Sequence, residues 1–177
     1  MSPIEKETKL VLFPEDYRRI REGGRVLECT DQLNIYLLDP ELLREEVGYF
    51  RVRFESGRAP VATLKIPIGW RGEMREMLEV ERPLSDLGPD LCPRPRRWVT
   101  VDSGMHEGFK EHFRALGIKR LRRLGWMRNH RTVIELDELG RVELDRTVLP
   151  DGRVHYEVEI ENPSEKEHDA LVERVRV

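Results

Sequence analysis

Apolar and polar residues alternate with a period of two in nearly every strand-like run of this chain, and the polar side of each run is ionised. Side chains two apart on a strand share a face. In the run "PIEKETKLVLF", Glu5, Glu7 and Lys9 therefore project together. Sorted by face, the later runs give further acidic rows, Glu79/Glu81, Glu143/Asp145 and Glu157/Glu159, and basic entries at Arg51/Arg53, Lys65, Arg75 and Arg128. Antiparallel sheets commonly solvate one face, which would account for any single strand. Carboxylates in repeated i, i+2 pairs are harder to place, because like charges facing one another across a sheet destabilise it. They call for a counter-row of bases or a bound cation. A closed or nearly closed barrel with an ionic lumen supplies both. Its bases would bind a polyanion, and its carboxylates would hold the divalent metal that bridges the two.

The remaining segments fit that plan. "FPEDYRRIREGG" predicts a short helix with Pro14 near its start and Gly23-Gly24 at its end. "RVLECT" and "LNIYLLD" read as a strand or strand pair. "YFRVRFESGRAPVATLKIP" reads as a hairpin turning at Glu55-Ser56-Gly57-Arg58. Its apolar face is Phe50, Val52, Phe54, Ala62, Leu64 and Ile66. "REMLEVER" adds a strand with Arg75, Met77, Glu79 and Glu81 on one side, and the proline-rich stretch 83–104 predicts a surface connection. A helix ending at Gly117 carries Met105, Phe109, Phe113 and Leu116 at helical spacing. Three alternating strands follow, turning at Glu138-Leu139-Gly140 and Pro150-Asp151-Gly152, and a last helix opens on Ser164 and Glu167, which fit a capping box.

A length of 177 residues predicts one domain, 1–177, and the net charge of −3 places no broad basic footprint on it, so a nucleic-acid partner is not expected. Six Lys or Arg in "IKRLRRLGWMRNHR", with Trp126, are the one local exception. Cys29 and Cys92, widely separated, predict reduced thiols rather than a disulfide framework. No apolar leader or membrane span is visible, which predicts a cytoplasmic protein, and homodimerisation is compatible with the sequence. "HEGFKEH" sets His106 and His112 six apart, not at the i, i+4 spacing of a zinc-protease helix, and no P-loop, dinucleotide or nucleophile-elbow motif occurs.

The ordered set of motifs resembles the CYTH domain family, the triphosphate tunnel metalloenzymes. "EKETK" is similar to its signature strand of two glutamates and a lysine, "NIYLLD" to its Asn-x-Tyr-Phe-Asp-Thr strand, "FRVR" to its paired arginines and "ATLK" to its Thr-Leu-Lys strand. "LGWMRNHR" resembles the strand that contributes an inward arginine, and "GRVELD" and "YEVEIE" resemble the closing acidic strands. Lys6 and Leu38 depart from the pattern, Leu38 standing where the family has an aspartate, and the chain stops soon after its last helix without a basic tail segment.

The resemblance implies an α+β fold, an antiparallel eight-stranded β-barrel, closed or nearly closed, with helices packed outside, and Mg²⁺ or Mn²⁺ held by ligands drawn from Glu5, Glu7, Glu143, Asp145, Glu157 and Glu159. It implies phosphates clamped by Lys9, Arg51, Arg53, Lys65, Arg75 and Arg128, with Glu79 and Lys65 catalytic. The implied substrate is inorganic triphosphate or a small organic triphosphate, hydrolysed by a metal-dependent triphosphatase. The alternatives are a class IV-type adenylyl cyclase making cyclic AMP from ATP, and a non-catalytic triphosphate- or polyphosphate-binding module.

Overall fold

The structure is a computed structural model that describes residues 4–39, 48–71, 74–84, 98–137, 139–161 and 163–176. Among the described residues, nine strands and four helices follow one another as β1 (Ile4–Val11), α1 (Pro14–Glu22), β2 (Arg25–Leu38), β3 (Tyr49–Glu55), β4 (Val61–Arg71), β5 (Met74–Pro83), β6 (Trp98–Thr100), α2 (Val101–Gly104), α3 (Glu107–Ala115), β7 (Arg120–Leu136), β8 (Gly140–Val148), β9 (Val154–Glu161) and α4 (Glu165–Arg176). Eight strands are hydrogen-bonded in the order β2-β3-β4-β5-β1-β9-β8-β7, and a further pairing of β2 with β7 closes the ring. The predicted eight-stranded barrel is therefore closed, with α1, α3 and α4 outside it. The short β6 adds to the early part of β7. The proline-rich stretch thus ends in a strand that its sequence did not announce, while 85–97 lie outside the described residues. "RVLECT" and "LNIYLLD" form one continuous strand.

The chain forms two compact units, one of 1–4, 33–68 and 77–126 and the other of 5–32, 69–76 and 127–177. In the first, α3 covers one sheet face. Phe109 and Phe113 meet Phe50 edge-on, with ring centroids 5.1 and 5.7 Å apart, above Val52, Ala62, Leu64, Val99 and Leu121. Leu38 joins this core, so the residue that departs from the family pattern packs as a hydrophobe. Leu116 does not: it is 37% exposed, and the buried stripe of α3 ends at Phe113. The helix closes on Gly117, whose φ of +73° lets Ile118 N–H reach the Phe113 carbonyl at 2.8 Å and Gly117 N–H the Arg114 carbonyl at 3.0 Å. Gly48, at φ +76°, opens β3, and a Cβ there would run into the backbone carbonyl of Lys65.

In the second unit, α1 and α4 pack on β7, β8 and β9 through Tyr17, Ile20, Leu171, Ile134, Val142, Leu144, Val158 and Ile160. The predicted capping box is present: Ser164 N–H donates to Glu167, and Glu167 N–H donates to Ser164 Oγ. Thr8, on the same side of β1 as Leu10, bonds His168 of α4 at 2.9 Å.

Burial separates the two aromatic or aliphatic ends of α3 sharply. Phe113→Ala should cost about 3–5 kcal/mol in denaturant unfolding, whereas Leu116→Ala should stay within about 0.5 kcal/mol; equal shifts of the two midpoints would contradict this packing.

Candidate active site

Each unit carries its ionised residues on the sheet face turned away from its helices. In the first unit the register pairs Tyr49 with Lys65, Arg51 with Thr63 and Arg53 with Val61, and directly opposed residues share a face. The intervening Phe50, Val52, Ala62 and Leu64 are in the helix-covered core, so Arg51, Arg53, Thr63 and Lys65 lie on the other side. Arg51 and Lys65 are buried. Lys65 Nζ is 3.1 Å from Glu79, and Thr63 donates to Glu81 at 2.8 Å. Arg53 donates to Asn34 at 3.1 Å and lies 3.6 Å from Glu55. The Arg51 guanidinium is 5.8 Å from the Tyr49 ring centre, and Tyr49 meets Tyr36 edge-on. The structure therefore brings together Arg51, Arg53, Lys65, Glu79 and Glu81, and adds Asn34, Tyr36, Tyr49 and Glu55.

In the second unit the register aligns Glu143 with Glu159 and Asp145 with Glu157, while Lys9 faces Glu159 and Glu7 faces Glu161. Glu7, Asp145 and Glu159 are buried. At their centre is Arg131, which the sequence reading did not select. It faces Asp145 across β7–β8, donates from Nε at 2.8 Å and Nη2 at 2.7 Å to the two Asp145 oxygens, reaches Glu159 at 3.5 Å and pairs with Glu143. Lys9 Nζ sits 3.1 Å from Glu159. Arg128 is exposed; its register partner is Val148, and it lies one side-chain parity away from Arg131 and Asn129. Arg75 lies against Trp70, 5.9 Å from the ring centre, and makes no ion pair among the described residues. Glu157 is half-buried and meets His155 at 3.2 Å. Glu5 is on β1, but its side chain lies outside the described residues.

Electrostatics follow this geometry. Burial works against the Arg131 charge, but the hydrogen bonds it donates to Asp145 and the charges of Asp145, Glu143 and Glu159 outweigh it and raise its pKa. Burial pushes Glu143 up to about 6; Arg131 pulls the other way, and repulsion from Glu159, Glu161 and Asp145 adds to the rise. Crowding of this degree is the chemistry that a divalent cation relieves, and carboxylate oxygens are the hard donors that Mg²⁺ and Mn²⁺ take. Among the described residues, no three His, Cys, Asp or Glu side chains form a ready-made metal cage. Coordination by Glu143, Asp145 and Glu159 therefore requires these side chains to turn from Arg131.

Closed eight-stranded barrels with one face of each sheet apolar and the other densely ionised define a class, and the comparisons identify it. The CYTH domain model matches residues 3–176, and the chain belongs to the CYTH domain family. Among solved structures, it is similar to HpAC1 from Hippeastrum, described as an adenylyl cyclase candidate with a dominant triphosphatase activity, at 20% identity and a TM-score of 0.67, covering 96% of this chain and 84% of that one. It is similar also to a conserved hypothetical protein from Pyrococcus furiosus, at 16% identity and a TM-score of 0.56, covering 98% and 91%. A third is the RNA triphosphatase domain of a mimivirus mRNA capping enzyme, at 11% identity and a TM-score of 0.51, covering 97% and 87%. No curated protein matches the chain.

The raised Glu143 pKa has a signed consequence. The folded protein holds this proton more tightly than an unfolded chain, so the stability contribution is full below pH 4.5 and is lost as pH rises through about 6. In chelator, Glu143→Gln should match the parent near pH 4.5 and be more stable by about 2 kcal/mol at pH 7.5. A gap independent of pH in paired thermal melts would contradict the assignment.

Proposed function

We propose that this protein is a metal-dependent triphosphate hydrolase. The observation that carries the reading is the set of buried or half-buried cations Arg51, Arg53 and Lys65 on the helix-free face of the first unit. Burying guanidinium and ammonium groups costs several kcal/mol apiece unless they are paired. Here the pairing is carboxylate and amide contacts that a phosphate oxygen can replace. Arginine presents a planar fork of donors matched to such oxygens. Arg51 and Arg53, two apart on β3, would hold successive phosphates; Lys65, oriented by Glu79, would place an ammonium on the oxygen where charge accumulates.

Phosphoryl transfer to water depends on positioning and charge neutralisation more than on covalent chemistry by the protein. When bound, Mg²⁺ or Mn²⁺ supplies charge withdrawal from the phosphates and a more acidic water. Residues available to hold it are Glu143, Asp145, Glu157 and Glu159, with Glu7 and Glu5 on β1 as further donors. Asp145 and Glu159 are orientated in its absence by Arg131 and Lys9. Glu79 is the acid nearest the basic set, and its roles are to hold Lys65 protonated and to accept a proton from the attacking water.

Cyclisation of ATP would use the same phosphate contacts, and the similarity to HpAC1 favours it as the second reading. Purified protein with tripolyphosphate should release phosphate in Mg²⁺ or Mn²⁺ and none in chelator. Arg53→Ala should raise KM about tenfold or more, and Lys65→Ala should lower kcat about 100-fold. With ATP and Mn²⁺ the expected product is ADP without cyclic AMP. Turnover that persists in chelator, or cyclic AMP as the main product, would overturn this reading.

A further inference from the structure

We infer that Arg131 is a lock on the metal site: its guanidinium and a divalent cation compete for the same carboxylate oxygens, so the protein takes its metal only against a resident charge of its own. The inference rests on the metal-dependent reading above and concerns how that site is regulated. All the groups involved belong to the second unit. On the face that carries the acids, register sets three rows side by side: Val133, Glu143, Glu159 and Lys9; then Arg131, Asp145 and Glu157; then Asn129, Thr147 and His155. Arg131 enters the middle row from β7 and reaches into the first.

What separates this contact from an ordinary ion pair is how fully it uses the donors that a metal needs. Nε and Nη2 take the two oxygens of Asp145, at 2.8 and 2.7 Å. Nη1 pairs with Oε2 of Glu143, and Nη2 also reaches Oε2 of Glu159 at 3.5 Å. Lys9 Nζ meets that same Glu159 oxygen at 3.1 Å. One planar fork therefore holds oxygens from three carboxylates, and Mg²⁺ or Mn²⁺ would draw on the same hard donors. Glu157 is the exception: it opposes Asp145 across β8–β9, but its carboxylate meets His155.

Glu143, Asp145 and Glu159 bring three negative charges to this cluster, and Arg131 with Lys9 returns two. A divalent cation in place of the guanidinium would balance it fully, so charge favours the exchange. Opposing it is the fate of the arginine. A guanidinium does not shed its proton, so Arg131 has to leave the acids as a cation and keep polar company while buried. The third row supplies that company. Asn129, two residues before Arg131 on the same face, accepts from Thr147 and donates to Gln32, each at 3.2 Å, and none of these three side chains is charged. Amide oxygens hold a guanidinium less well than carboxylates do, and the difference is subtracted from metal affinity. Arg131 thereby sets the metal concentration at which the site fills.

The test is Mn²⁺ binding by titration calorimetry with no triphosphate present. Arg131→Gln should bind Mn²⁺ about tenfold more tightly than the parent or better, and Arg131→Lys, which keeps a cation but not the fork, should fall between them. In chelator Arg131→Gln should melt below the parent, because three acids lose their partner; in saturating Mn²⁺ it should melt level with the parent or above it. An arginine with a structural role alone would leave the same deficit in both conditions. If Arg131→Gln does not fold in chelator, Mn²⁺ should restore its fold, and Arg131→Lys carries the affinity comparison. In Arg131→Ala, free guanidinium ion far below denaturing levels should weaken Mn²⁺ binding, and in the parent it should have no effect. Mn²⁺ affinity no higher than the parent's in Arg131→Gln and Arg131→Lys, or a melting deficit that Mn²⁺ does not remove, refutes the lock, and metal-dependent hydrolysis of tripolyphosphate by the parent would then leave the hydrolase reading standing. If Arg131→Gln gains Mn²⁺ affinity while the parent releases no phosphate from tripolyphosphate, the lock stands and the hydrolase reading falls.

Discussion

One guanidinium makes the acidic half of this fold compatible with being folded. Glu143, Asp145 and Glu159 are neighbours across β8 and β9, and two of them are buried, so their mutual repulsion is screened little by water. Arg131 touches all three, and Lys9 adds a second positive charge at Glu159. At Arg131 the attraction outweighs desolvation, whereas at Glu143 burial and repulsion outweigh it, so Glu143 is the acid this cluster holds least well in its charged form. The acids are therefore held together by cations of the chain itself.

Sidedness does the rest. Each unit turns its aliphatic and aromatic residues toward helices, and in β3, β4, β8 and β9 the strand period of two keeps the ionised residues on the other face. The work of the helices is to pay for the sheet by apolar burial, which frees the opposite face to carry lysine, arginine and glutamate at densities a solvated sheet would not need.

Much of this was legible from alternation: the long strands, the hairpin at 55–58 and the capping box follow from local pattern, while the eight-stranded closure followed from the family resemblance. The choice between Arg128 and Arg131 does not, because a long strand with a cation at nearly every turn gives no parity by itself. The signal was present one step away: the tight turn before Gly140 sets Leu136 opposite Gly140, and counting outward from that pair sets Arg131 opposite Asp145. Strand β6 was hidden for a different reason, since three residues after a proline-rich stretch carry no period. Leu38 and Leu116 show the remaining limit. Side-chain chemistry told that both are apolar, but only packing decides that one enters the core and the other faces water.

Gly48 ties the backbone of the basic cluster to a single achiral position. Its neighbour in space is the main-chain carbonyl of Lys65 rather than a movable side chain, so nothing at hand can yield to a methyl group. The approach of β3 to β4 and the placement of the lysine are thus one constraint, and a side chain in place of this glycine would part the two strands at the very residues, Phe50 and Leu64, that floor the core under α3.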